Sequence, residues 1–305
     1  MNTPQVVAVT GASGLVGRAL VAELEAAGRR VRRLVRRPAQ DPAAEVYWQP
    51  SAGEIDAAAL AGVDAVVHLA GENIAQVPWT TERKRRIVDS RVDGTRLLCE
   101  TLAGLDDKPE VLVSASAIGF YGHRGDEIVD EESAAGEGFL AETCVKWERA
   151  TAPAYESGMR VVQLRVGLVL TPEGGLLGKI LPLFRWGLGS VLGGGGQAMS
   201  WITRRDLVRA FREALDNPAL HGAVNGTAPN PVTNREFTKA LGRVLNRPTL
   251  LPAPAFMLRL AAGEVADEML LAGARVQPTR LQQTGFEFES PTLEEALRAV
   301  LGKRG

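Results

Sequence analysis

Short, largely apolar runs alternate along this chain with longer amphipathic stretches. Five runs, Val6–Val9, Val31–Val35, Ala65–Leu69, Val111–Ala115 and Val161–Val166, are rich in β-branched residues and predict strands buried on both faces. Between them Leu15–Ala27, Thr81–Ala103 and Leu140–Glu156 predict helices. Strands separated by helices imply an α/β fold: a parallel sheet, doubly wound through right-handed crossovers, with ligands at the carboxyl ends of the strands. From about residue 171 the texture changes to glycine-rich loops (Gly174-Gly175, Gly193 to Gly196) and pieces bounded by Pro229, Pro231, Pro248, Pro252 and Pro254. The expected division is a sheet domain over 1–170 and a smaller, substrate-facing lobe over 171–305. Parts of 201–227, around Asp206–Leu215 and Ala223–Gly226, are candidates to return to the sheet.

The first strand runs straight into Thr10-Gly11-Ala12-Ser13-Gly14-Leu15-Val16-Gly17. That T-G-x-x-G-x-x-G pattern between a strand and a helix has a physical reading. Gly11 permits the tight turn, Gly14 lets backbone approach a pyrophosphate, and Gly17 lets the helix pack close to the strand. The helix N-terminus then offers unpaired N–H groups to the phosphates. The expectation is a doubly wound dinucleotide-binding sheet of the Rossmann type.

Which dinucleotide is indicated by the end of the second strand. In NAD-binding folds an acidic residue there holds the ribose 2′-hydroxyl. This chain reads Arg32-Arg33-Leu34-Val35-Arg36-Arg37-Pro38, with no carboxylate. Arg36 suits a 2′-phosphate through its paired donors, and Arg18 is placed to close on the same group. The expected cofactor is therefore NADP (NADPH). Arg29 to Arg33 read as a solvated basic face.

Charge and composition narrow the partners. The 305 residues carry a net charge of −1, so nothing global points to nucleic acid or an anionic membrane. No apolar run approaches the roughly 18 residues of a membrane span, and Met1–Gln5 lack the charged start of a signal peptide. A cytoplasmic protein is expected. Cys99 and Cys144 lie in helix-like segments without metal-ligand spacing and read as free thiols, and His68, His123 and His221 are scattered, so no metal site is expected.

Thr10–Gly17, His68-Leu69-Ala70-Gly71, and Val113-Ser114-Ala115-Ser116-Ala117 followed by Tyr121-Gly122 together resemble the short-chain dehydrogenase/reductase superfamily, in its extended, epimerase-like branch. More narrowly, Gly71-Glu72-Asn73-Ile74-Ala75, Trp79-Thr80, Ser90-Arg91 with Gly94-Thr95, Lys146-Trp147-Glu148 and Trp201-Ile202 with Asp206 resemble an atypical group within it. Pro278-Thr279-Arg280-Leu281, Gly285-Phe286 and Glu294-Glu295-Ala296-Leu297 extend that likeness to the tail. That group consists of NAD(P)-binding, epimerase-family oxidoreductases with a C-terminal domain of unknown function. The resemblance implies a bound NADP, hydride chemistry on a small-molecule substrate, and the possibility of a homodimer through the helices at 81–103 and 140–156.

The superfamily's proton donor is a Tyr with a Lys four residues on, and this chain has no Tyr-x-x-x-Lys. Its tyrosines, Tyr47, Tyr121 and Tyr155, are followed at that spacing by Ser51, Gly125 and Met159. If Lys146 is the superfamily lysine, Glu142 stands at the tyrosine position. The resemblance still gives Lys146 the nicotinamide ribose. Ser116, at a strand's carboxyl end, is the candidate to polarise a reacting oxygen, and Ser114 shares its face as a structural residue. Tyr121 is either a proton donor or a packed aromatic, and Glu142 either an alternative acid or a solvated helix residue. His68 reads as cofactor-adjacent or as a satisfied core residue. Thr10, Gly11, Ser13, Gly14, Leu15, Val16, Gly17, Arg36, Leu69, Ala70, Gly71 and Lys146 form the expected cofactor site, and Ser116, Lys146 and Tyr121 the expected catalytic group. The Leu176–Leu188 stretch either walls a substrate pocket or packs as core. Trp201 and Asp206 are expected at the junction of the lobes. Arg91 is a candidate to face an anionic substrate group, with Arg85 and Arg86 at the surface. The function expected is an NADP(H)-dependent oxidoreductase. A sugar-nucleotide epimerase and a non-catalytic NADP(H)-binding regulator remain as alternatives.

Overall fold

The computed structural model describes residue 3 and residues 5–303. Met1, Asn2 and Pro4, on which the expectation of no targeting segment partly rests, lie outside the described residues, as do Arg304 and Gly305 at the end of the expected second lobe. No helix among the described residues is long and apolar enough to cross a membrane.

An eight-stranded sheet organises the molecule. Its strands are β1 (Val6–Thr10), β2 (Arg30–Val35), β3 (Glu45–Gln49), β4 (Glu54–Ile55), β5 (Ala65–His68), β6 (Val111–Ala117), β7 (Arg160–Val166) and β8 (Gly222–Gly226). They lie in the order β8-β7-β6-β5-β1-β2-β3-β4. Every neighbouring pair is parallel except β3 with β4. The chain runs outward from β1 to one edge, then crosses back to β5 and runs outward to the other. The order therefore reverses between β1 and β5, and a crevice opens there at the strands' carboxyl ends.

Alternation along each strand feeds two cores. Val7 and Val9 of β1 point to one face, where α1 (Leu15–Ala26) and the helix Arg204–Asp216 bury Leu20, Leu24, Leu207, Phe211 and Ala214. Val6 and Ala8 point to the other, against Leu98, Cys99 and Leu102 of α2 (Thr81–Ala103). This two-sided burial is why the strands read as unbroken apolar runs. β3 escapes that signature. Only Val46 and Trp48 of Glu45–Gln49 are buried, so the strand alternates and is short of apolar residues. The expected 140–156 helix is two pieces, α3 (Phe139–Arg149) and α4 (Ala152–Glu156). Pro153, in the first turn of α4, has no N–H to continue α3.

The Arg204–Asp216 helix and β8 join the sheet although they follow residue 171 in sequence. A third core, around Leu177, Leu181, Phe184, Trp201, Phe237, Leu241 and Leu297, holds the rest of the second lobe together. Trp201 is fully buried there and donates Nε1–H to the Asn230 carbonyl at 3.1 Å. Asp206 accepts from the Glu289 and Ser290 amides at 2.9 and 3.3 Å, tying the tail to the sheet's covering helix.

Candidate functional site

At the carboxyl end of β1 the chain turns through Gly11, whose φ of +65° is a left-handed conformation that favours glycine. A Cβ on Gly11 would lie 2.9 Å from the Leu69 carbonyl carbon, and one on Gly17 would lie 2.1 Å from the Gly11 oxygen. Both positions are closed to any side chain. The Gly14 amide donates to the Gly11 oxygen at 2.9 Å, and α1 begins at once. That helix has no side-chain N-cap and no acidic residue in its first turn, so its positive end is left uncompensated. Ser13 and Gly14 are exposed, and Leu15 and Val16 half-buried. Gly174, from the second lobe, approaches this turn, where a Cβ would meet the Leu15 side chain at 3.3 Å.

Thr10 supports the turn from inside. It is fully buried, and its hydroxyl accepts from the Leu69 and Ala70 amides at 3.0 and 3.1 Å. It positions the turn against β5. With two amides on its oxygen, Thr10 gives its proton to His68 Nδ1 at 2.8 Å. His68 Nε2–H in turn donates to Thr95 Oγ1 at 2.9 Å, which also receives Trp147 Nε1–H at 3.0 Å. Burial, with the charge of Arg91 adding, pushes the His68 pKa down to about 4. Both ring nitrogens are occupied, so His68 is a neutral core residue.

The arginine run at β2 sorts itself by partner. Arg29 pairs with Asp216, Arg33 with Glu25, and Arg37 with Glu45, while Arg32 donates to the Ala59 and Ala61 carbonyls. Arg36 is exposed just past the end of β2 and has no ion-pair partner among the described residues. Arg18 is also exposed and reaches only the Ser13 carbonyl, at 3.3 Å.

Of the expected catalytic group, Ser116 and Tyr121 join one buried cluster, and Lys146 lies outside it. Ser116 is 3% exposed, and its hydroxyl donates to Glu148 Oε1 at 2.7 Å. Tyr121 is fully buried and donates to Asn225 Oδ1 at 2.7 Å while accepting from Arg165 at 3.0 Å. Burial raises its pKa, with Arg165 opposing. Arg165 completes the cluster with two 2.8 Å bonds to the Glu148 carboxylate, and its guanidinium lies 3.4 Å from the centre of the Phe120 ring. Burial alone would depress Arg165, but Glu148 and Tyr121 hold it above its ordinary value. Lys146 stands apart. The side of α3 that meets the end of β6 carries Leu140 and Cys144, both against Gly119, and Glu148. These recur every fourth residue, as one helix face requires. Lys146 is half a turn away from that face, exposed, and 3.9 Å from the equally exposed Glu142.

Sequence reading missed Glu148 and Arg165 as a unit. One signal was present: a charged residue inside the otherwise buried Val161–Val166 run, which demands a buried partner. The register supplies the rest, pairing Ser116 with Arg165 and Arg165 with Asn225 across β6, β7 and β8. In the Leu176–Leu188 stretch, Leu177, Leu181 and Phe184 are core, whereas Leu183, Trp186 and Leu188 are exposed.

Comparison with known proteins places these features in a family. Residues 7–225 match the NAD dependent epimerase/dehydratase family, and residues 253–300 match a domain of unknown function, DUF1731. The epimerase family protein Mb2239 of Mycobacterium bovis is 51% identical over 293 residues, 96% of each chain. The crystal structure of human epimerase family protein SDR39U1 (isoform 2) with NADPH superposes with a TM-score of 0.89 at 32% identity, covering 97% of this chain and 99% of that one. A nucleoside-diphosphate sugar epimerase from Corynebacterium glutamicum gives 0.81 at 37% identity, over 98% of this chain and 58% of that one.

Proposed function

The chain belongs to the NAD dependent epimerase/dehydratase family, and from that premise we propose that it binds NADPH at the Gly11–Gly17 turn and acts as an NADP(H)-dependent oxidoreductase on a small molecule. The observation that carries this reading is the turn itself: a backbone cradle that a Cβ at Gly11 or Gly17 would fill, in front of an uncompensated helix N-terminus. Those amides would hold the diphosphate. Arg36, unpartnered where NAD-binding folds carry an acid, would hold the 2′-phosphate. The human relative crystallised with NADPH supports the same cofactor.

When bound, the nicotinamide supplies or accepts the hydride. The chain's own residues bind and orient. Thr10 and Leu69-Ala70 fix the floor of the crevice, and the Glu148–Arg165 pair fixes the ends of β6 and β7. A second reading, NADPH binding without turnover, is favoured by one observation: the hydroxyls of Ser116 and Tyr121 are both committed inside the protein. A panel of carbonyl substrates with NADPH separates the two, turnover of any member ruling out the second.

The cofactor assignment is tested by following the fluorescence of the five tryptophans during titration with NADPH and with NADH. NADPH is expected to bind more tightly. Arg36→Ala is expected to lose roughly ten- to a hundredfold in NADPH affinity, the value of one charge-assisted bond, and little for NADH. Equal affinities in the parent protein overturn the NADP assignment, and binding of neither overturns the reading as a whole.

A further inference from the structure

Arg91 lies on α2, and its guanidinium reaches the end of β5. A Cβ on Gly71 would be 3.4 Å from Arg91 Cζ, and the guanidinium carbon is 5.0 Å from the centre of the Trp147 ring on α3. Gly71 follows the Leu69-Ala70 segment that Thr10 holds against Gly11. Arg91 thus stands at the β1–β5 crevice, where the order of the sheet reverses, between α2 and α3.

Its hydrogen bonding is unusual for this protein. The described residues give the Arg91 guanidinium a single bond, a 3.2 Å contact with the Ile87 carbonyl one turn back, and no carboxylate within ion-pair distance. Of the two acidic groups whose charge it feels, the Cys144 thiol is held protonated by burial, and the Glu72 carboxylate is taken at 2.6 Å by Arg83. Burial lowers the Arg91 pKa, as expected of a cation drawn from water without a counter-ion. By contrast Arg29, Arg165 and Arg209, also wholly or partly buried, each hold a carboxylate at 3.0 Å or closer. A half-buried cation without a partner is costly unless an anion completes it. The planar fork of Arg and the flat face of Trp147 beneath it suit an oxyanion approaching in the plane.

We propose that Arg91 is the receptor for an oxyanion, a phosphate or carboxylate, bound in the β1–β5 crevice. The proposal rests on the reading of that crevice as a cofactor site. The oxyanion has two possible sources, the cofactor's diphosphate and an acidic group on the substrate.

Arg91→Met and Arg91→Lys are titrated with NADPH beside the parent protein. Each protein, with NADPH at saturation, is then melted in rising inorganic phosphate against chloride of equal ionic strength. A fall of about tenfold or more in NADPH affinity for Arg91→Met, with a smaller fall for Arg91→Lys, which keeps the charge but not the fork, supports the proposal and assigns the diphosphate. Unchanged NADPH affinity with loss of a phosphate-specific rise in Tm supports it and assigns the substrate. Parent-like behaviour toward both probes overturns it while leaving the cofactor reading intact. If the parent binds no NADPH, a phosphate-specific stabilisation lost in Arg91→Met keeps the proposal and overturns the cofactor reading, and absence of that stabilisation overturns both. Should Arg91→Met fail to fold for want of packing on Trp147, Arg91→Lys decides: parent-like affinity and melting in that variant overturn the proposal.

Discussion

At the Gly11–Gly17 turn the polar groups are backbone amides at a helix start with no capping side chain. At the ends of β6 and β7, on the same rim of the sheet, the polar groups are side chains that bond to one another: Ser116 to Glu148, Glu148 to Arg165, Arg165 to Tyr121, and Tyr121 to Asn225. Apart from the Gly14 amide, which donates to the Gly11 oxygen, the first region leaves its helix-start amides uncapped, and the second closes its side chains on one another. Open amides at a rigid turn are a binding device, because the backbone that presents them loses nothing when a ligand arrives. A closed cluster of buried charges instead fixes the relative position of three strands and a helix. A reductase of this superfamily is expected to present its serine and tyrosine to the substrate, and here the same residue types brace the crevice.

The sharpest way to test that contrast is to open the closed side. Glu148→Ala leaves Arg165, 4% exposed, without its carboxylate. Removing one partner of a buried pair costs about 3–5 kcal/mol, so urea unfolding is expected to shift by that order while NADPH affinity of the folded fraction holds. A matching loss of NADPH affinity would show that the two regions act as one. His68 sits on the seam between them, bonded to Thr10 on one side and Thr95 on the other. Its pKa is lowered from 6.5 to about 4 by burial. Between those values the unfolded chain takes up the proton and the native one does not. The stability that neutral His68 contributes is therefore complete above about pH 6.5 and declines as pH falls toward 4, by about 3 kcal/mol in all. His68→Gln, measured by denaturant unfolding across that range, should remove most of this slope. Lys146→Ala should have the smallest effect. Its pairing with Glu142 is exposed and long at 3.9 Å, so stability should move by less than about 0.5 kcal/mol. A large fall in NADPH affinity in this variant would give Lys146 the nicotinamide ribose after all and place the outward face of α3 in the crevice.

Legibility in the sequence followed range. The glycine turn could be read because its demands are local: the sign of φ at Gly11 and the clearance of Gly17 are set within seven positions. The closed cluster could not, because Ser116 and Glu148 are 32 positions apart and Tyr121 and Asn225 are 104 apart. Residue type alone suggested hydroxyls available for chemistry, and only their partners show them committed. Lys146 shows a related limit. A helix can be recognised from its pattern, but which face meets the sheet depends on packing, here Cys144 and Trp147 turned inward.

By itself the sequence determined the parallel sheet, the glycine turn and the lack of an acidic residue after β2, since each follows from local pattern and backbone sterics. Tertiary structure alone decided which polar side chains are open. It closed Ser116 and Tyr121 around Arg165 and left Arg91 without a counter-ion beside Gly71, whereas the return of β8 and the Arg204–Asp216 helix to the sheet was already indicated by their pattern. Whether a charged or hydroxyl group can act on a ligand depends on the partners around it, and those come from distant parts of the chain.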